Sequence, residues 1–193
     1  MKELFKDTRK LTFLGVMLAL SIVFCMATML PTAGTSMAII MFLPTILTGI
    51  IQGPKAGWLM GTAVGIVILI RALVLPMSIL DPLFVNPLLS VVPRMFIGIV
   101  AAYVYKLIVR NSKSTGRVAL GSALAGAAGM ITNTILVMSA MYFIYAERIA
   151  DALGMAFKAF LIATLSSSAI IEAVVGAILT SAIVTAYTKL RRN

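Results

Sequence analysis

Long apolar segments, separated by short stretches with charges, prolines or glycines, restrict the fold of this chain more than any other feature. Six can be read in the 193 residues: 11–30, 37–52, 56–75, 87–107, 118–145 and 155–187. About 20 apolar residues are enough to cross a bilayer as a helix. Because a backbone in lipid must satisfy its own hydrogen bonds, we predict an all-α polytopic membrane protein with six transmembrane helices.

The composition agrees with this prediction and excludes several soluble classes. Hydrophobic residues make up 61% of the chain and charged residues 11%, against about 45–50% and about 25% in a typical soluble domain. A soluble globular domain, a disordered chain and a coiled coil are therefore excluded. Since the linkers are short, we predict that residues 1–193 form a single integral membrane domain.

The first segment follows the charged stretch MKELFKDTRK, so a signal peptide is an alternative interpretation. A run of about 20 residues is longer than a typical signal-peptide core, and no clear A-x-A cleavage site follows it. We therefore interpret the first segment as a transmembrane helix.

The basic residues indicate the orientation of the chain, whose net charge is +10. Six spans place both termini on one side, together with Lys2, Lys6, Arg9, Lys10, Lys55, Lys106, Arg110, Lys113, Arg117, Lys189, Arg191 and Arg192. The other half carries Arg71, Arg94, Arg148 and Lys158. Because basic residues concentrate in cytoplasmic loops, we predict that both termini are cytoplasmic. Charges at the ends of apolar segments indicate topology, so nucleic acid is not an expected partner.

Motifs for catalysis or metal binding are absent from the sequence. There is no histidine, and the single cysteine, Cys25, lies in an apolar run, which excludes histidine metal sites, histidine bases and disulfides. No P-loop, H-E-x-x-H, C-x-x-C or G-x-S-x-G motif occurs. The serine cluster at Ser166, Ser167 and Ser168 is interpreted as helix packing. We expect no enzymatic activity, no cofactor and no metal site.

A buried arginine is the first candidate binding residue. Asn86 and the proline after it have the pattern of a helix N-cap followed by proline at the first helical position. Arg94 lies about 12 Å further along that helix, within the membrane. Pro93 leaves one backbone carbonyl without its helical donor, which predicts a kink at this point.

Two more polar residues are predicted at a similar depth. Glu172 lies about 25 Å from Lys189 along the sixth segment, and Asn133 lies about 24 Å from Arg117 along the fifth. A charged residue at membrane depth is costly and needs a partner or a function. Three helices could thus bring Arg94, Asn133 and Glu172 to one level.

Two interpretations of these residues stay open. In the structural one, Arg94 and Glu172 form an internal ion pair and Asn133 links helices. In the functional one they line a pocket for a small solute: Arg94 binds a carboxylate, Asn133 offers a donor and an acceptor, and Glu172 accepts from ligand hydroxyl or N–H groups or holds Arg94. Asn86 and Arg71 are further candidates, with a helix cap and a snorkelling side chain as their structural alternatives.

The stretch RALVLPMSILDPLFVNP, which begins at Arg71, carries three prolines. Proline removes a backbone donor and restricts φ, which favours a structured loop over a helix. Two interpretations are an ordinary outer loop and a lid over a site. Small-residue pairs at Gly15 and Ala19, and at Gly61 and Gly65, allow close helix approach, either within the protein or to a partner.

Together these features resemble the substrate-binding S component of an energy-coupling factor (ECF) vitamin transporter. The resemblance rests on the six spans, the basic N-terminal stretch, the Gly15-x-x-x-Ala19 pair and the GPKAG turn. Its most specific part is RALVLPMSILDPLFVNPLLSVVPRMFIGIVAAYVYK, which with ITNTIL and IIEAVVGAIL is similar to the pantothenate-type branch.

The resemblance implies a multi-pass protein of a prokaryotic plasma membrane, with a vitamin site near the outer face under capping loops. It also implies a complex with a membrane coupling protein and two cytoplasmic ATPases, to which the first helix of the family presents an Ala-x-x-x-Ala motif. Gly15 and Ala19 occupy that motif here, with glycine in place of the first alanine. ATP hydrolysis on other subunits would explain the missing P-loop.

Pantothenate, a monocarboxylate with two hydroxyls and an amide, suits one arginine accompanied by Asn133 and Glu172. The expected function is therefore pantothenate capture for an ATP-driven importer that topples to release the vitamin inside. The alternatives are a stand-alone secondary transporter for a small organic anion and a membrane scaffold without transport. No internal repeat or proton-relay chain supports the secondary transporter.

Overall fold

The computed structural model describes residues 7–27, 36–76, 81–110, 114–153, 159, 162 and 169–190. They form α1 (Thr8–Ala27), α2 (Ser36–Gln52), α3 (Pro54–Val74), α4 (Pro87–Ser90), α5 (Val92–Val109), α6 (Thr115–Leu153) and α7 (Ile170–Leu190). A short 3₁₀ helix, Asp81–Val85, precedes α4. These residues contain no strand, which confirms the all-α prediction.

Five stretches in the described ranges are long and apolar enough to cross a membrane: Thr8–Ala27, Pro54–Val74, Pro87–Val109, Thr115–Ala146 and Ile170–Leu190. The second predicted segment corresponds to the shorter helix α2, whose apolar part is Ile40–Gln52. The sixth predicted segment continues to the end of α7, but most of its first part, like the serine cluster, lies outside the described residues. The chain is thus a multi-pass membrane protein, and its cytoplasmic termini stay a prediction.

Helix α2 lies in the middle of the bundle, where it contacts α1, α3, α5, α6 and α7. Nine consecutive residues, 41–49, are buried, as expected for a helix that is apolar all round. Gly53, with φ +97°, makes the tight connection to α3, and Pro54 starts that helix. At the same end, Gln52 donates to the Lys10 carbonyl over 3.1 Å, so the start of α1 lies beside the end of α2.

Helices α3 and α5 pack backbone to backbone along a glycine stripe. A Cβ on Gly98 would lie 2.6 Å from the Gly57 Cα, and one on Gly65 would lie 2.6 Å from the Val91 Cα. At Gly61 a Cβ would overlap the carbonyl oxygen of Arg94. The Gly61-x-x-x-Gly65 pair is therefore an internal packing surface, and it sets how closely α5 approaches α3 at Arg94.

Replacement of Gly61 by alanine is expected to destabilise the protein by about 1–3 kcal/mol, because the new methyl group meets backbone that cannot rotate away. Gly15→Ala is the matched control, since nothing lies within 4 Å of a Cβ at Gly15. Thermal unfolding in detergent measures both variants. Equal unfolding temperatures for the two would contradict the close contact between α3 and α5.

The proline-rich stretch after Arg71 is partly helical. Helix α3 continues to Val74, in agreement with the predicted third segment 56–75, whereas Asp81–Val85 forms a 3₁₀ helix within the part that was predicted as a structured loop. Residues 77–80 lie between them, outside the described residues. Pro82 fits the second position of this 3₁₀ helix, because a backbone N–H at that position would have no acceptor within the helix.

Candidate substrate-binding site

An interruption of the helix at Pro93 positions the guanidinium of Arg94. Helix α4 ends at Ser90 and α5 begins at Val92. In a continuous helix the Leu89 carbonyl would accept from the N–H of residue 93, which proline lacks. The Nη1 of Arg94 donates to this Leu89 carbonyl instead. The helix is thus interrupted next to Pro93, where the sequence predicted a kink, and the freed carbonyl is the anchor of the arginine side chain.

Two phenylalanine rings flank the same guanidinium. The Arg94 Cζ lies 5.6 Å from the ring centroid of Phe42, on α2, and 5.3 Å from that of Phe84, in the 3₁₀ helix. Both distances lie within the range of cation–π attraction. Arg94 itself is only 5% exposed, so its charge is held between aromatic faces rather than in water.

The anchored arginine keeps unused hydrogen-bonding capacity. Its Nε is buried and has no hydrogen-bond partner in the described part of the chain. A buried guanidinium N–H without an acceptor is costly, and an anionic ligand would satisfy it. Among the described residues, Arg94 also has no ion pair, because the pairs there join Lys10 to Asp7 and Arg71 to Asp81.

Asn133 lies at the same level of the bundle as Arg94. A Cβ on Gly129 of α6 would lie 3.2 Å from Ile46 of α2 and 3.4 Å from Ile97 of α5, so the three helices meet there. One turn towards the outer end predicted from the sequence, these helices carry Phe42, Arg94 and Asn133 respectively. The Asn133 side chain is 8% exposed, and its Oδ1 has no hydrogen-bond partner in the described ranges.

Glu172 is linked to the residue that follows Asn133 in the sequence, Thr134. The hydroxyl of Thr134 lies 3.5 Å from the Glu172 Oε2 and 3.2 Å from the Met130 carbonyl, so one proton serves two acceptors. Glu172 is half-buried on α7. Helices α5, α6 and α7 therefore carry Arg94, Asn133 and Glu172 at one level, as the sequence analysis predicted.

These three side chains do not bond to one another in the part of the chain that the structure describes. The internal Arg94–Glu172 ion pair, which was one sequence-based interpretation, is not formed. Arg94 is held instead by a backbone carbonyl and two rings. This arrangement leaves donors on Arg94 and acceptors on Asn133 and Glu172 for a small anionic molecule that also carries hydroxyl or N–H groups.

Arg71 forms a buried ion pair with Asp81. The Arg71 Nη2 lies 2.6 Å from the Asp81 Oδ1, with side-chain exposures of 17% and 7%. This geometry fits neither an arginine that snorkels to the membrane interface nor an arginine that is free to bind a ligand. Because Asp81 begins the 3₁₀ helix that carries Phe84, the pair holds a ring of the Arg94 environment in place.

Asn86 is engaged at both ends of its amide. The Oδ1 accepts from the Leu88 N–H over 3.0 Å, and the Nδ2 donates to the Tyr145 hydroxyl over 3.1 Å. The first bond caps α4, as the Asn-Pro pattern indicated. The second bond ties α4 to α6. Both contacts favour a structural role for Asn86 next to the candidate site.

Sequence reasoning missed the residues that support the predicted ones: Phe42, Phe84, Asp81, Thr134 and Tyr145. Phenylalanine in an apolar segment gives no signal that distinguishes a ring over a guanidinium from ordinary core. Asp81 offered a usable signal, because it is an acidic residue ten positions after an arginine at the end of a membrane helix.

The Gly15 and Ala19 pair lies away from this site, on the outer surface of α1. Both residues are exposed, and nothing lies within 4 Å of a Cβ at Gly15. Exposed apolar side chains surround them on the same helix, among them Val16, Leu20 and Val23. Unlike Gly61, this pair is not used for packing within the described part of the chain.

Comparisons with known proteins agree with this architecture. The family model described as "ECF transporter, substrate-specific component" matches residues 9–184. The pantothenic acid transporter PanT of Lactococcus lactis subsp. cremoris (strain MG1363) is 29% identical over 168 residues, which cover 80% of this chain and 79% of that protein. Because the family match covers most of the residues, this multi-pass membrane protein belongs to the substrate-specific components of ECF transporters, which are transport subunits and not enzymes.

Proposed function

We propose that this chain is the pantothenate-binding subunit of an ATP-driven ECF importer in the prokaryotic plasma membrane. The observation that carries the proposal is Arg94: a buried guanidinium, anchored on a backbone carbonyl and flanked by two rings, with an Nε that has no hydrogen-bond partner among the described residues. The similarity to a protein named as a pantothenic acid transporter supports the choice of vitamin.

The ligand's groups match the side chains at this level. The carboxylate of pantothenate would accept from Arg94, where the low dielectric strengthens a charge-assisted hydrogen bond. The ligand's amide N–H or a hydroxyl would donate to the Asn133 Oδ1, which is buried without a donor in the described ranges. A hydroxyl of pantothenate that is not bound to Asn133 would donate to Glu172. Arg71 and Asn86 act indirectly, by holding the 3₁₀ helix and α4.

Transport requires partners that supply energy. In the proposed cycle, the chain binds pantothenate near the outer face and docks on a membrane coupling protein that carries two cytoplasmic ATPases. It then topples to release the vitamin inside. The exposed Gly15 and Ala19 on α1 provide a surface where a helix of the coupling protein can approach closely.

Two measurements on the purified protein test this function. Isothermal titration against a panel of vitamins should show tight binding of pantothenate by the solitary chain. Uptake into proteoliposomes should require the coupling protein, both ATPases and ATP. Uptake by the solitary chain under an ion gradient would identify a secondary transporter instead, and absence of any vitamin binding would favour a scaffold.

Replacement of Ala19 by tryptophan is expected to impair assembly with the coupling protein and to leave pantothenate binding unchanged, because Ala19 is exposed on the outer surface of α1 whereas Arg94 is buried. Co-purification with the coupling protein and isothermal titration measure the two properties. Ile178→Trp, on α7 and 61% exposed, controls for added bulk on an exposed surface away from α1. Loss of both properties in the Ala19 variant would contradict a role limited to assembly.

A further inference from the structure

A groove on the outside of α5 is separate from the candidate vitamin site. It is shallow and open, and its described lining consists of Tyr103, Lys106, Leu107 and Arg110. These residues lie at positions i, i+3, i+4 and i+7, which form one face of a helix. Helix α5 ends at Val109, so the groove lies in the last two turns of the helix.

This end of α5 lies at the same end of the bundle as the start of α1 and the last turns of α7, where Val184 packs in one cluster with Val109. Phe42 and Gly49 of α2 lie beside Arg94 and Gly98 of α5, so the two helices run in the same direction. The end of α2 contacts the start of α1 through the hydrogen bond of Gln52 to the Lys10 carbonyl. The groove therefore lies on the side where most of the basic residues of the chain are found.

The lining combines free positive charge with apolar surface. Lys106 and Arg110 are exposed, and neither forms an ion pair within the described ranges. Tyr103 is 59% exposed and Leu107 is 76% exposed. Tyr103 lies about 10 Å deeper along the helix axis than Arg110. The apolar end of the groove thus points into the bilayer, and the basic end lies at its boundary.

We infer that this groove binds an anionic phospholipid. The phosphate lies between Lys106 and Arg110, and an acyl chain follows Leu107 and Tyr103 towards the bilayer centre. A lipid presents charge and hydrocarbon in the same order along the membrane normal as the groove does. An acidic protein segment would pair with the two cations but would leave the apolar part at membrane depth uncovered.

Native mass spectrometry of the detergent-solubilised protein tests this inference, with phosphatidylglycerol and phosphatidylcholine of identical acyl chains as probes. The wild type should retain phosphatidylglycerol in preference. The double variant Lys106→Gln/Arg110→Gln should lose on the order of tenfold of that affinity. The double variant Lys55→Gln/Lys189→Gln removes the same charge at the same end of the bundle, from exposed positions outside the groove, and should keep the preference.

Three results would overturn the inference. The first is equal retention of phosphatidylglycerol by the two double variants. The second is no preference of the wild type for the anionic lipid. The third concerns competition for the bound lipid. If soluble glycerol phosphate displaces it at the same concentration as competing phospholipid does, the groove would be assigned to a small anion or an acidic segment. Since the four substituted residues are exposed, unchanged thermal unfolding of both variants serves as the folding check.

Discussion

Replacement of Arg94 by alanine is expected to weaken pantothenate binding by about 3 kcal/mol, on the order of a hundredfold in Kd. The physical reason is that the ligand carboxylate would then be buried without its guanidinium partner. The aromatic faces of Phe42 and Phe84 cannot replace it, because their negative quadrupoles repel an anion. Isothermal titration of the purified variant in detergent measures the loss.

The alcohol analogue of pantothenate, in which a hydroxymethyl group replaces the carboxylate, separates a lost charge contact from a damaged fold. Wild type should prefer the acid strongly, and the Arg94→Ala variant should lose this preference and bind the alcohol at least as well as the acid, because the alcohol buries no unpaired charge. Arg94→Lys keeps the charge but not the fork of donors, so its affinity for pantothenate should lie between those of the wild type and the alanine variant. Wild-type affinity of the alanine variant for pantothenate would remove Arg94 from the site.

Replacement of Arg71 by methionine is expected to destabilise the protein by about 3 kcal/mol, because it leaves the Asp81 carboxylate buried without its cation. Pantothenate affinity should fall by a smaller factor than in the Arg94 variant. The reason is that the 3₁₀ helix loses its tether and Phe84 is no longer held against the guanidinium. Thermal or chemical unfolding in detergent measures the first effect, and titration measures the second.

Two further variants make the ion-pair prediction specific. Addition of Asp81→Asn to the methionine variant should recover much of the stability, since a neutral amide keeps hydrogen-bonding capacity and needs no counter-charge. Lys10→Met breaks the exposed pair with Asp7 and should leave stability unchanged, because solvent screens that pair. A direct role of Arg71 in ligand binding would instead appear as lost affinity at unchanged stability.

Hydropathy and charge in the sequence predicted the class of the protein, because they depend on local composition. The apolar segments indicated helices α1, α2, α3 and α5 within a few residues, and proline and glycine marked the turn at Gly53 and the helix interruption next to Pro93. Depth along a helix is also local, since each residue adds about 1.5 Å. For that reason Arg94, Asn133 and Glu172 could be predicted at one level before the bundle was known.

Side-chain partners depended on how distant segments return to each other, and local patterns carry no such information. The pairing of Arg71 with Asp81 instead of solvent, the Phe84 ring over Arg94, and the Tyr145 hydroxyl on Asn86 required the tertiary structure. The same holds for the two small-residue pairs, which look alike in sequence. Gly61 is buried against the backbone of α5 whereas Gly15 is exposed, because only helix packing decides which face of a uniformly apolar helix is covered.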